Sequence, residues 1–124
     1  MFKKSLISVF LLLTLLMSAG LGSVIMAQGG EDLLFVAINK SADQQYFIDL
    51  QTSFAETTMD FGADARTFDA KLDPNLGITL VEDAISAGAQ GIAITVPDQT
   101  IGPAIAQLAE DAGVVLIATD DSIM

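Results

Sequence analysis

Thr95–Asp121, TVPDQTIGPAIAQLAEDAGVVLIATDD, is the stretch that decides the fold. Its first residue closes an apolar run, GIAIT at Gly91–Thr95. A short polar turn with Pro97 and Asp98 follows. Ile101, Ile105, Leu108 and Ala112 then recur at helical spacing. Pro103 falls in the first turn, where its missing N–H would have no partner, and Gly113 is a stop signal. Val114–Ala118, VVLIA, is a second apolar run without alternation, the signature of a strand buried on both faces of a parallel sheet. Strand, helix and strand in this order make a βαβ unit. Ligands of such sheets bind at the carboxyl ends of the strands. The segment therefore sets Asp98, Asp120 and Asp121 on the rim of a binding crevice.

Working back toward the amino terminus, the same punctuation repeats. Leu33–Asn39, LLFVAIN, predicts a buried strand. Gln45–Phe61 predicts a helix with Phe47, Leu50, Phe54 and Phe61 on one face and Gly62 as its stop. Arg66–Ala70 predicts a weaker edge strand. Asp73 and Pro74 suit a helix start, Ile78, Val81, Ala84 and Ile85 form its apolar face, and Gly88 ends it. The expected fold class is α/β, a parallel sheet with flanking helices in the order βαβαβαβ. Right-handed crossovers and the common order 2-1-3-4 put a reversal between strands 1 and 3. The loops Lys40–Gln45 and Val96–Thr100 then flank the crevice, with Asp120 and Asp121 beside them. In that order the first helix covers one face and the other two helices cover the opposite face. One helix does not cover four strands, so a further strand and helices are expected, and the chain reads as the front part of a longer protein.

Residues 1–30 read as a separate object. Lys3 and Lys4 precede an apolar run, LISVFLLLTLLM at Leu6–Met17, and small residues follow up to Ala27. This pattern predicts a secretory signal peptide over 1–27, leaving 28–124 as the truncated amino-terminal part of a lobe. The uncharged stretch Ser5–Gly30 is also long enough for an uncleaved anchor, although its second half is rich in glycine. The chain has no cysteine, so a lipid-anchored amino-terminal cysteine is excluded.

Composition narrows the chemistry. Sixteen acidic residues oppose five basic ones among 124 residues, a net charge of −11. Without residues 1–27, three basic residues remain against sixteen acidic, or −13. A surface of that sign repels phosphate backbones, so nucleic acid is not an expected partner. No cysteine and no histidine occur, which removes thiol nucleophiles, Cys/His zinc sites and imidazole acid–base chemistry from this chain. No cofactor is implied, and the acidic spacing fits no calcium loop.

The polar residues at the predicted edge make a small set. The Lys40 ammonium offers three donors to ligand oxygens. Of Tyr46 and Phe47, one can face the crevice and stack on a ligand while the other joins the core. Asp98 either accepts from ligand hydroxyls or caps the third helix. Asp120 and Asp121 either accept hydroxyl donors or serve only the turn. An ammonium, carboxylates and an aromatic face suit a neutral polyol with one apolar side.

The two segments FVAINKSADQQYF (Phe35–Phe47) and ISAGAQGIAITVPDQTIGPAIAQLAEDAGVVLIATDD (Ile85–Asp121) resemble the first lobe of the periplasmic sugar-binding proteins that serve ABC importers. The likeness covers residues 33–123 and is nearest to the arabinose-binding branch. It implies a type I periplasmic-binding-protein fold, two lobes joined by a three-part hinge, and closure around a monosaccharide without catalysis. It implies that Lys40 bonds the sugar, that Tyr46 stacks on it where the branch has tryptophan, and that Asp121, with Asp120 beside it, meets the anomeric region. Gln44 stands where the branch has glutamate, which leaves the sugar's identity open. The implied partners are a pentose or hexose and the membrane subunits of an ABC permease, with the full-length protein a periplasmic monomer. A sugar sensor for chemotaxis or a kinase is the alternative on the same lobe. A flavodoxin-like enzyme fits less well, because NKSADQQ after strand 1 has one serine and no glycine for a phosphate loop.

Overall fold

A computed structural model describes residues 32–123. The expected signal peptide, its expected cleavage after Ala27 and the anchor alternative lie outside the described residues. The described elements are β1 (Leu34–Asn39), α1 (Gln45–Asp60), β2 (Asp64–Asp69), α2 (Pro74–Ser86), β3 (Gly91–Ile94), α3 (Gly102–Ala112) and β4 (Val115–Ala118). A 3-10 turn, Gln99–Ile101, leads into α3.

All strand pairs are parallel and the sheet order is β2-β1-β3-β4. The expected reversal between β1 and β3 is therefore present. Alternation along β1 explains the layers. Leu34, Val36 and Ile38 turn to one face and are buried with Ile92 and Ile94 of β3, Val81 and Ala84 of α2, and Ile105 of α3. Phe35, Ala37 and Asn39 turn to the other face, where the Asn39 side chain meets the first turn of α1. Burying each isoleucine of the main core contributes about 1.5–3 kcal/mol, so the α2/α3 side carries most of the hydrophobic stabilisation.

The helix boundaries follow from local chemistry. Asp73 caps α2 by accepting from the Asn75 and Leu76 amides, and Pro74 occupies the first helical position. The chain leaves α3 through Gly113 at φ 69°, a left-handed conformation that glycine adopts without a Cβ clash. Gly62 and Gly88 do the same after α1 and α2.

Several details differ from the sequence reading. Leu33 lies outside the ladder and is half exposed. β2 begins at Asp64 because its pairing with Leu34 extends the ladder two residues before Arg66. Phe61 is 85% exposed rather than on the buried face of α1. The helix ends at Asp60, and Phe61 is its C-cap, so helical spacing no longer governs where that ring points. Ala112 is also exposed, and Ala109 takes the buried place one turn after Ile105.

The run Val114–Ala118 is not a strand buried on both faces: β4 starts at Val115 and none of its residues is fully buried, because the cover expected to be short on one face is short there. Val115 and Ile117 are 61% and 57% exposed, because α1 reaches over β2 and β1 and stops before β4. Phe35, Phe54, Ala93, Val115 and Ile117 line an open apolar groove of about 170 Å³ there.

Candidate functional site

Three loops meet at the carboxyl edge of the sheet. β1 delivers Lys40, β3 delivers the turn with Asp98, and β4 delivers Asp120 and Asp121. The backbone of Lys40 is pinned from the neighbouring loop, since its carbonyl accepts from the Leu72 amide at 2.7 Å. Lys71 and Leu72 are both left-handed, at φ 52° and 58°, a conformation that costs a non-glycine residue about 1–2 kcal/mol.

The Lys40 ammonium crosses the sheet edge to the acidic pair. Its Nζ lies 2.5 Å from Asp121 Oδ2 and 3.3 Å from Asp120 Oδ2. Adjacent strands are about 4.8 Å apart, so β1 and β4 stand about 10 Å apart with β3 between them. A long side chain is needed to span that gap, and lysine supplies it. The hydrogen bond to Asp121, helped by the one to Asp120, raises the Lys40 pKa above the ordinary lysine value against a smaller opposing effect of burial. The ammonium also lies 5.4 Å from the centre of the Phe47 ring, within cation–π range.

Tyr46 and Phe47 divide, one outward and one inward. Phe47 is buried and Tyr46 is 55% exposed. Their rings meet edge to face at 5.1 Å. Phe47 is anchored from below by Asn39, whose Nδ2 donates to the Phe47 carbonyl at 2.8 Å. Gln44 is the N-cap residue of α1 in extended conformation, exposed, and its side chain makes no capping bond.

Asp98 is employed locally. Its Oδ1 accepts from the Thr100 amide at 2.8 Å and caps the 3-10 turn ahead of α3. The bond from the Thr100 backbone, supported by the Thr100 side chain, holds the Asp98 carboxyl below the usual carboxylate range. The structure thus joins Lys40, Asp120 and Asp121 into one cluster, puts Tyr46 at its margin, and leaves Asp98 tied to its own turn.

Three supporting residues carry no site signal in the sequence: Asn39, Thr95 and Thr119. Asn39 reads as the end of a strand, and nothing in the one-dimensional pattern marks its side chain as buried. Thr95 and Thr119 hydrogen-bond through their hydroxyls at 3.0 Å. The register brings that pair together: both follow paired strands, Ile94 opposite Ala118, so the next residues fall side by side.

No known family profile matches the sequence, and no curated protein does. Solved structures do match. A periplasmic solute-binding protein of an ABC transporter from Actinobacillus succinogenes 130z, with bound D-allose, superposes with a TM-score of 0.65 at 25% identity, over 73% of this chain and 33% of that one. The myo-inositol-binding protein of Caulobacter, bound to myo-inositol, gives 0.70 at 19% identity, over 77% and 32%. An ABC-transporter solute-binding protein from Burkholderia graminis C4D1M, in complex with D-arabinose, gives 0.62 at 24% identity, over 74% and 32%. These neighbours are solute-binding proteins and not enzymes. The chain has the fold of the periplasmic sugar-binding proteins of ABC transporters, over about a third of their length.

Proposed function

We propose that the carboxyl edge of this sheet is one wall of a cleft that binds a monosaccharide without chemical change, in a receptor feeding an ABC importer. The observation that carries this reading is the Lys40–Asp120–Asp121 cluster at the strand-order reversal, where open parallel sheets take their ligands. Lys40 uses two of its three donors on the aspartates, which leaves one for a ligand oxygen. Each carboxylate has a second oxygen to accept from hydroxyls, and Tyr46 offers an exposed ring for an apolar sugar face. Gln44 stands in the same loop and would choose among hydroxyl patterns. Asp98, already a cap, would contribute through its second oxygen. The excess of acid over base favours a neutral sugar over a phosphorylated or acidic one. An arabinose-like pentose or a hexose fits the set, and export through a signal peptide at 1–27 would place the protein in the periplasm.

The test is calorimetric titration of the whole encoded protein with D-arabinose, D-allose, D-glucose and myo-inositol. At least one should bind, with no turnover of the sugar. Lys40→Met and Asp121→Asn should each weaken binding about tenfold or more, the loss expected for a charged hydrogen-bond partner. No heat from any of the four, or unchanged affinity in both variants, would sink the proposal.

A further inference from the structure

The turn that delivers Asp120 and Asp121 is held at a second point besides Lys40. Asp120 is left-handed at φ 71°, and the Asp121 amide donates to the Thr119 carbonyl at 2.9 Å. This tight turn sends the chain back over the start of α3, where the Ile123 side chain packs against the main core.

The residue it meets is Gly102, buried at the first position of α3 with φ −49° and ψ −53°. Helical backbone of this kind does not call for glycine, and alanine would favour the helix by about 1 kcal/mol. Space explains the glycine instead. A Cβ on Gly102 would lie 2.9 Å from the Ile123 Cα, 2.6 Å from its carbonyl carbon and closer still to its oxygen. These are backbone atoms, so no rotamer change relieves the contact. The Ile123 main chain therefore rests directly on Gly102, while its side chain packs against the main core.

Ile123 is two residues from Asp121. A shift of the main chain at Ile123 reaches the acidic turn through only two pairs of backbone torsions. The Lys40 Nζ contacts, 2.5 Å to Asp121 and 3.3 Å to Asp120, depend on where that turn holds the two carboxylates.

We infer that Gly102 is a positioning residue for the acidic pair: by admitting the Ile123 backbone against α3, it fixes the turn that aims Asp121 and Asp120 at Lys40. The consequence for ligand affinity rests on the sugar-binding reading above. The geometric claim does not.

The experiment introduces Gly102→Ala and, separately, Ile123→Ala into the whole encoded protein. The Lys40 ammonium is followed by carbon NMR of its Cε through alkaline pH, with Lys40→Arg to assign the signal. In the parent protein Lys40 titrates above the ordinary value of 10.5, as its bonds to Asp121 and Asp120 require. In Gly102→Ala it should fall back toward that value while far-ultraviolet circular dichroism at pH 7 keeps its helix signal. Affinity for whichever of D-arabinose, D-allose, D-glucose or myo-inositol the parent binds should drop about fivefold or more, the loss expected for a misaligned charge-assisted hydrogen bond. Ile123→Ala removes the anchor rather than the seat, and should move Lys40 in the same direction. It decides the matter if Gly102→Ala does not fold. An unchanged Lys40 titration in both variants, or in Ile123→Ala alone where Gly102→Ala is unfolded, would overturn the assignment. A parent that binds no sugar while the Lys40 shift behaves as stated would refute the sugar-binding reading and leave the positioning role standing.

Discussion

Asn39 is where the sheet and the candidate site are joined, and its replacement is the sharpest test of the described packing. The residue ends β1, is 1% exposed, and donates through Nδ2 to the Phe47 carbonyl at 2.8 Å. Asn39→Ala removes that bond, a net loss of about 0.5–1.5 kcal/mol. It also removes three buried heavy atoms, and the unfilled space brings the total to about 1.5–3 kcal/mol. For a folding unit of 60–100 residues, each kcal/mol moves the melting temperature by about 4–8 °C. A thermal melt at pH 7 should therefore come down by about 6 °C or more. Asn39→Asp gives a sharper result. At neutral pH it places a carboxylate, which only accepts, against a carbonyl oxygen, which also only accepts. Protonated, the same side chain can donate to Phe47. The deficit of Asn39→Asp relative to the parent should thus shrink between pH 7 and pH 4, opposite to the usual effect of acid on a stabilising aspartate. A melt for Asn39→Ala within 1–2 °C of the parent, on the same 4–8 °C per kcal/mol scale, or a pH-independent deficit for Asn39→Asp, would refute the bond.

Three further outcomes are expected. Ile94→Ala, at a fully buried site, should cost about 2–5 kcal/mol by denaturant titration, whereas Ile117→Ala, on the half-open end of the sheet, should cost under about 1 kcal/mol; similar losses would mean that β4 is covered. Folding raises the Lys40 pKa, so its ion-pair contribution is complete below the ordinary value of 10.5 and is lost as pH rises through the higher folded value. Lys40→Met should then be destabilising at pH 8 by no more than about 1 kcal/mol, and the difference should vanish above the folded pKa. Asp98→Ala should lower the melting temperature at pH 7. Because folding depresses the Asp98 pKa, that difference should persist above the ordinary carboxylate value and disappear as pH falls through the folded one.

Much of this architecture is written in local chemistry. Asp73 and Pro74 start a helix by capping and fixed φ whatever surrounds them, and Gly62, Gly88 and Gly113 end helices because left-handed backbone suits glycine. Unbroken apolar runs at GIAI and LFVAI demand cover on both faces, which implies the parallel sheet and its crossovers. Element order, sheet order and the edge that carries the polar residues were legible for that reason. Phe61 shows the limit: its spacing matched the buried face, yet one residue past the helix end its ring turned to solvent.

The sequence alone determined that Lys40 and the two aspartates lie at strand ends. Their contact was decided by the tertiary structure, because residues 80 and 81 positions apart meet only after β3 has been inserted between β1 and β4. The same holds for Asp98. Its type and place suited either a ligand contact or a cap, and the nearness of the Thr100 amide gave it the cap. Gly102 and Asn39 carried no local signal at all. One is defined by the space another segment needs, the other by a carbonyl eight residues away, and distances of that kind exist only once the chain has folded.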